Sequence, residues 1–172
     1  MSLLDELKSL PKDRLIDIFT LFNKNWWTVD GLWFRVVEEE FGLDAAWKVN
    51  FKVSERMAPI MAKRILKFLG FKGEKISELV EALKFLPWSA VQGAEVKILG
   101  EDEAILSVVE CKPQKFRVKN GLKEFPCKDL GLRFFARFAE AVNPKIRVEC
   151  LTAPPNPHPN NLWCQWRFKL EK

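Results

Sequence analysis

The stretch "KIRVECLTAPPNPHPNNLWCQWRFKL", residues 145–170, decides how the chain is built. Two runs that alternate apolar and polar residues, Ile146-Val148-Cys150 and Cys164-Trp166-Phe168, flank a loop of Pro and Asn that carries the only histidine, His158. Period two marks strands with one buried face, and the Pro/Asn cluster is turn chemistry, so the segment reads as a β-hairpin. Pairing Cys150 with Cys164 sets Val148 opposite Trp166 and Ile146 opposite Phe168, and one face becomes wholly apolar. The other face then sets Arg147 against Arg167 and Lys145 against Lys169, which requires acidic neighbours, an anion or a corrected register.

The same period recurs upstream. "AEVKILG" (94–100) and "EAILSVVEC" (103–111) meet at an acidic turn and form a second hairpin. Strand parity there places Ile105, Val109 and Cys111 on one face, with Val96 and Ile98 as candidates to join them. Between the hairpins, "CKDLGLRFFARFAEAVN" (127–143) has the helical stripe Leu130, Phe134, Phe138 and Ala141 and is closed by Pro144.

Before Trp88 the period is 3.6 instead of 2. Ser9 as N-cap and Pro11 in the first turn open a helix whose apolar stripe is Leu15, Ile16, Phe19, Phe22 and Trp26. Thr28 caps a further helix with the stripe Trp33, Val36, Val37 and Phe41, ended by Gly42. Residues 43–70 form a third, carrying Ala46, Trp47, Phe51, Met57, Met61, Ile65 and Phe68, with Pro59 expected to kink or split it near Ala58. "EKISELVEALKFL" adds a fourth that runs to about Pro87. The prediction is an α+β fold in a single domain, 1–172: a helical half, 1–87, packs its N-terminal helices on an antiparallel sheet made of two hairpins with an intervening helix, 88–172.

At 172 residues and 48% hydrophobic, the chain is long enough to bury a core. No apolar run reaches the length that spans a bilayer, and the N-terminus is charged too early for a signal peptide, so a cytoplasmic protein without a membrane partner is expected. The net charge of +5 is spread without a basic arm, which argues against nucleic acid. Glycine-rich phosphate loops, H-E-x-x-H and G-x-S-x-G are absent from the sequence, and no cofactor is expected.

Two groups of residues carry candidate chemistry. The first is the cysteines. Cys111, Cys127, Cys150 and Cys164, with His158, could fill strand positions as small hydrophobes, bind zinc, form disulfides, or supply a reactive thiol with His158 as its base. Close C-x2-C pairs are missing, so no metal site is expected; were one present, its ligands would come from these five residues. The second group is "NKNWWTVDGLWF". Trp26, Trp27, Trp33 and Trp47 exceed the needs of one packing stripe and could line a cavity, with Asn25, Asp30, Glu38 and Asn50 as the polar groups that orient a ligand.

The segments "WWTVDGLWFRVVEEEFGLDAAWKVN", "CKPQKFRVKNGLKEFPCKDLG" and "VECLTAPPNPHPNNLWCQWRF" together resemble a family of small archaeal and bacterial proteins of unknown function. A weaker likeness extends to L-2-amino-thiazoline-4-carboxylate hydrolase-like proteins and to the 4-vinyl reductase domain. These also close with a Glu, a Cys and a later Cys-x-Phe on a terminal hairpin, here Glu149, Cys150, Cys164 and Trp166 or Phe168, although a long Pro/Asn loop replaces their short Gly-Asp turn. That resemblance implies an α+β domain that binds a small, often hydrophobic molecule. Three functions follow. The first is binding of a small hydrophobic or aromatic molecule in a Trp/Phe-lined cavity. The second is a cysteine- or zinc-dependent hydrolase of a small sulfur- or nitrogen-containing substrate, using Cys150, Cys164 and His158. The third is a homo-oligomeric interaction protein that employs its surplus aromatics as an interface.

Overall fold

Helical periodicity early and strand periodicity late resolve, in a computed structural model that describes residues 2–89 and 92–171, into the predicted α+β architecture. The elements are α1 (Leu3–Ser9), α2 (Lys12–Phe41), α3 (Leu43–Leu69), α4 (Ile76–Lys84), β1 (Gly93–Ile98), β2 (Glu103–Glu110), α5 (Lys112–Lys119), α6 (Cys127–Val142), β3 (Ile146–Thr152) and β4 (Cys164–Leu170). The strands form one antiparallel sheet in the order β1-β2-β4-β3. None of the helices among the described residues is long and apolar enough to cross a membrane.

The sheet buries one face, and α6 covers it. Ala104, Leu106 and Val108 of β2, Trp166 and Phe168 of β4 and Ile146 of β3 meet Phe134, Phe135, Phe138, Ala139 and Val142 of α6 in a common core. Ile76, Leu79, Val80 and Leu83 of α4 complete it, and α3 joins through the small residues Ala58 and Ala62 beside Met61. Small side chains there let α3 pack closely on α6, its most extensive partner. On the far side, α3 carries α2, a helix of 30 residues of which none is buried.

The strand faces and register differ from the sequence reading. Val96 pairs with Leu106 and Ile98 with Ala104, so the buried row of β2 is 104, 106 and 108, not Ile105 and Val109. In the terminal hairpin, Cys150 lies opposite Trp166, Val148 opposite Phe168 and Ile146 opposite Leu170, two residues from the expected Cys150–Cys164 pairing, with an irregularity between Cys150 and Thr152. A two-residue shift preserves which side chains face the core. It also replaces the Arg–Arg pair by Glu149 opposite Arg167, joined by a hydrogen bond of 3.0 Å, while Arg147 now faces Lys169 and reaches Glu171 at 2.9 Å. The observed register satisfies one of the two like-charge conflicts across the strands, and Glu171 offsets the one that remains at Arg147 and Lys169.

The helices are longer than their caps suggest. Ser9 ends α1, which is opened by Ser2 and Asp5 in a capping box, and Pro11 is the N-cap of α2. Thr28 sits inside α2 and donates its hydroxyl to the Lys24 carbonyl at 2.9 Å, the alternative to capping that a mid-helix Thr adopts. Pro59 does not split α3. Helix α5 went unread because its buried side chains are the polar Gln114 and Arg117, which leave no apolar period.

Gly131 sets the distance between α6 and the sheet. A Cβ at this position would lie 2.6 Å from two ring atoms of Trp166, a side chain only 1% exposed that has no room to move. Gly131→Ala should therefore cost about 1–3 kcal/mol through overpacking. Gly31→Ala, in α2 with nothing within 4 Å, should instead stabilise by roughly 0.5–1 kcal/mol through helix propensity. Urea midpoints of the two variants check this, and equal midpoints would refute the assigned role of Gly131.

Candidate functional site

Helix α2 is held by its inner face at three points. Trp27 packs on Trp88 with ring centroids 6.0 Å apart, and Trp88 in turn meets Phe134 edge-on at 5.0 Å. One heptad further, Phe34 meets Phe125 edge-on at 5.2 Å. A turn beyond, Glu38 receives both terminal nitrogens of Arg117, each at 2.9 Å, while Arg117 Nε donates to the Lys123 carbonyl at 2.6 Å. Arg117 is 5% exposed, and its guanidinium, together with Arg35, holds the Glu38 carboxyl below its usual pKa. Glu38 is thus a structural partner of α5 within the fold.

With that face occupied, the opposite face points outward. Leu15, Phe19, Phe22, Trp26, Val29, Trp33 and Val36 are all exposed, from 38% at Leu15 and Trp26 to 69% at Trp33. The stripes expected to enter the core instead face solvent, because Trp27, Phe34 and Glu38 supply the inward contacts. The four tryptophans do not meet around one space. Trp26 stacks on Trp27 at 6.1 Å, whereas Trp47 packs on Phe51 and donates its indole N–H to the Pro126 carbonyl at 3.0 Å. Trp47 lines an open cleft of about 310 Å3 with Pro126, Lys128, Asp129, Pro155 and Asn156. Asn50 accepts a hydrogen bond from Ser54 at 3.5 Å. Asp30 is exposed, and partial desolvation by its surroundings raises its carboxyl pKa.

The cysteines converge at one end of the sheet. Cys111 caps α5, Cys127 begins α6, Cys150 lies in β3 and Cys164 opens β4, and all four are free thiols packed against the core. Burial pushes Cys111 up to about 11 and Cys164 to about 12, and it raises Cys127 and Cys150 as well. The sulfurs are close enough to oppose one another's ionisation: Cys127 is raised further by Cys164 and Cys111, and Cys164 by Cys111 and Cys150. Gln114, 2% exposed, ties this end together by bonding both backbone groups of Phe125 at 2.8 Å and donating to the Cys127 sulfur at 3.7 Å.

His158 takes no part in that group. Its Nδ1 lies 3.1 Å from the Pro159 carbonyl, its Nε2 3.4 Å from Glu124, and its ring packs on Trp163. Among the described residues, no three His, Cys, Asp or Glu side chains are placed to grip one metal ion. Gln114, Arg117 and Trp88 matter most to these arrangements and were missed in the sequence. The early Pro113 and the basic last turn of α5 were the available signal.

These features define an α+β protein with a thiol-lined sheet end and a long helix that keeps an apolar face outside. Residues 8–170 match the family of unknown function DUF6125, and the chain belongs to that family. No curated protein matches it.

The thiols carry a pH signature. An unfolded thiol ionises near 9.0, whereas Cys111 and Cys164 in the fold wait until about 11 and 12. Their contribution is intact below pH 9 and should fall above it by about 1.4 kcal/mol per pH unit for each thiol. Stability measured by denaturant from pH 7 to 10 should bend downward near 9. Labelling by a chromogenic disulfide reagent at pH 7 should be slow in native protein and fast after denaturation. Rapid native labelling of Cys127 or Cys164 would overturn this reading.

Proposed function

We propose that this protein is an association module whose working surface is the outward face of α2 and whose partner is a second copy of the chain. The supporting observation is the spacing of one row among the exposed apolar residues of α2, which also include Ile16, Leu21, Leu32 and Phe41 off that row. Positions 15, 19, 22, 26, 29, 33 and 36 are separated by 4, 3, 4, 3, 4 and 3, the 3.5-residue repeat with which one helix packs along another. A helix that merely lay on a globular core would follow 3.6 and bury that stripe. The seven side chains leave on the order of 800 Å2 of apolar surface open, more than the largest patch of an ordinary monomer and comparable to one partner's share of a stable interface. Trp26 and Trp33 then act as interface anchors instead of cavity walls.

Light scattering or sedimentation at about 100 μM chain should give twice the 20.0 kDa chain mass, by mass action on such a seam. Phe22→Glu combined with Val29→Glu should return the single-chain mass with unchanged helix content. A wild-type chain that remains single at that concentration would reject the proposal.

A second reading rests on the cleft at Trp47. Its walls of Trp47, Pro126 and Pro155 and its rim of Lys128, Asp129 and Asn156 suit a small aromatic or hydrophobic molecule with one polar end. Saturable quenching of tryptophan emission by such compounds, abolished in Trp47→Phe, supports it; quenching that survives the substitution counts against it. Against the hydrolase reading stand the desolvation of Cys164 and the bonds His158 makes elsewhere; at Cys150, also raised by burial, Lys128 acts in the opposite sense and favours the thiolate.

A further inference from the structure

The geometry points to an antiparallel two-fold pairing of α2 with α2 of a second copy, centred near Lys24; this rests on the association reading above. In heptad terms Leu15, Phe22, Val29 and Val36 occupy one core position, d, and Phe19, Trp26 and Trp33 the other, a. Continuing the a series outward brings in Lys12 at one end and Glu40 at the other. Both are exposed and, among the described residues, neither has an ion-pair partner in its own chain.

Those end charges select the polarity. A parallel, in-register pair would stack Lys12 on Lys12 and Glu40 on Glu40, two like-charge contacts flanking the seam. An antiparallel pair sets each a residue against a d residue, and sliding one helix by a heptad offers two main registers. In one, paired positions add to 48: Phe19 meets Val29, Trp26 meets Phe22, Trp33 meets Leu15, and Lys12 lies over Val36 with its ammonium beside Glu39 and Glu40 of the second copy. Its methylene stem covers the valine while the charge is met. In the other, the sum is 55 and Glu40 falls on Leu15, leaving a carboxylate over an apolar side chain and Lys12 beyond the acidic cluster. The first register satisfies shape and charge together. Because a closed two-fold pair uses the same patch twice, it also consumes the whole seam and leaves no edge for further addition.

Asn25 and Glu39 are both exposed and share one heptad position, so the test uses Asn25→Cys and Glu39→Cys, each spin-labelled at neutral pH against labelled wild type as background. In the antiparallel pair the two labels at position 25 sit close to the axis and give a short distance, whereas those at position 39 are about 45 Å apart, from fifteen residues on either side of the axis at the rise of a helix. Short distances at both positions would overturn the polarity while leaving self-association standing. A doubled mass with no distance that either arrangement allows would place the interface on another face and overturn both. A single-chain mass removes the association itself. As an independent check, Glu40→Lys should weaken pairing about fivefold or more, and adding Lys12→Glu to it should restore the pairing. Failure of the double variant to recover would count against the register.

Discussion

The fork between Arg117 and Glu38 determines which way the longest helix faces. Both groups are nearly buried, and each guanidinium nitrogen donates, to two carboxylate oxygens and a backbone carbonyl. A pair of this kind adds little net stability over an apolar replacement, since desolvation offsets most of the attraction, but breaking it strands a charge. Its contribution is orientation. With Glu38 committed to α5, and with Phe34 about one turn and Trp27 about three turns before it also committed inward, the rotation of α2 about its axis is set. The aromatic stripe on the other side has no alternative but to face outward.

The sheet end obeys a related economy. Four sulfurs are gathered where α6 begins and β4 opens, yet burial raises the pKa of each, and neighbouring sulfurs raise Cys127 and Cys164 further. A nucleophile needs the opposite setting, a positive neighbour or a base that lowers the thiol pKa. Lys128 gives Cys150 some of that help, while His158 is turned to Glu124 and to its own loop. Gln114 provides order here by satisfying the backbone of the segment that leads into Cys127. The cysteines are therefore best understood as packing groups that close the open end of the core.

Both locations bear on one interpretation: the sheet with α6 is a closed body, and the surface left unfinished is helical. Gly131 and the small residues of α3 allow close approach between layers. Surface hollows among the described residues include the cleft beside Trp47 and one of about 490 Å3 between Gly70 and Glu81. The exposed row of α2 keeps the 4-3 spacing with which one helix packs along another, the feature on which the association proposal rests.

Local chemistry was legible without coordinates wherever one face of an element is buried and the other is not. The alternation in residues 145–170, the stripe of α6 and the change of period near Trp88 each follow from pleat or turn geometry, so the α+β order and the core side of β3 and β4 could be read directly. The spacing of the α2 stripe was equally visible. What the stripe faces was not, because an amphipathic pattern states that a face is apolar and says nothing of which neighbour covers it. Register lay beyond reach for a similar reason: parity permits shifts of two, and the observed one sets Glu149 opposite Arg167 while β4 also pairs with β2. Helix α5 was hidden because its anchors, Gln114 and Arg117, are polar residues buried by partners 11 and 79 positions away. Periodicity is a property of neighbours in the chain, whereas the direction of α2, the strand register and the grouping of the sulfurs are properties of residues brought together from distant positions, and only the tertiary structure decides those.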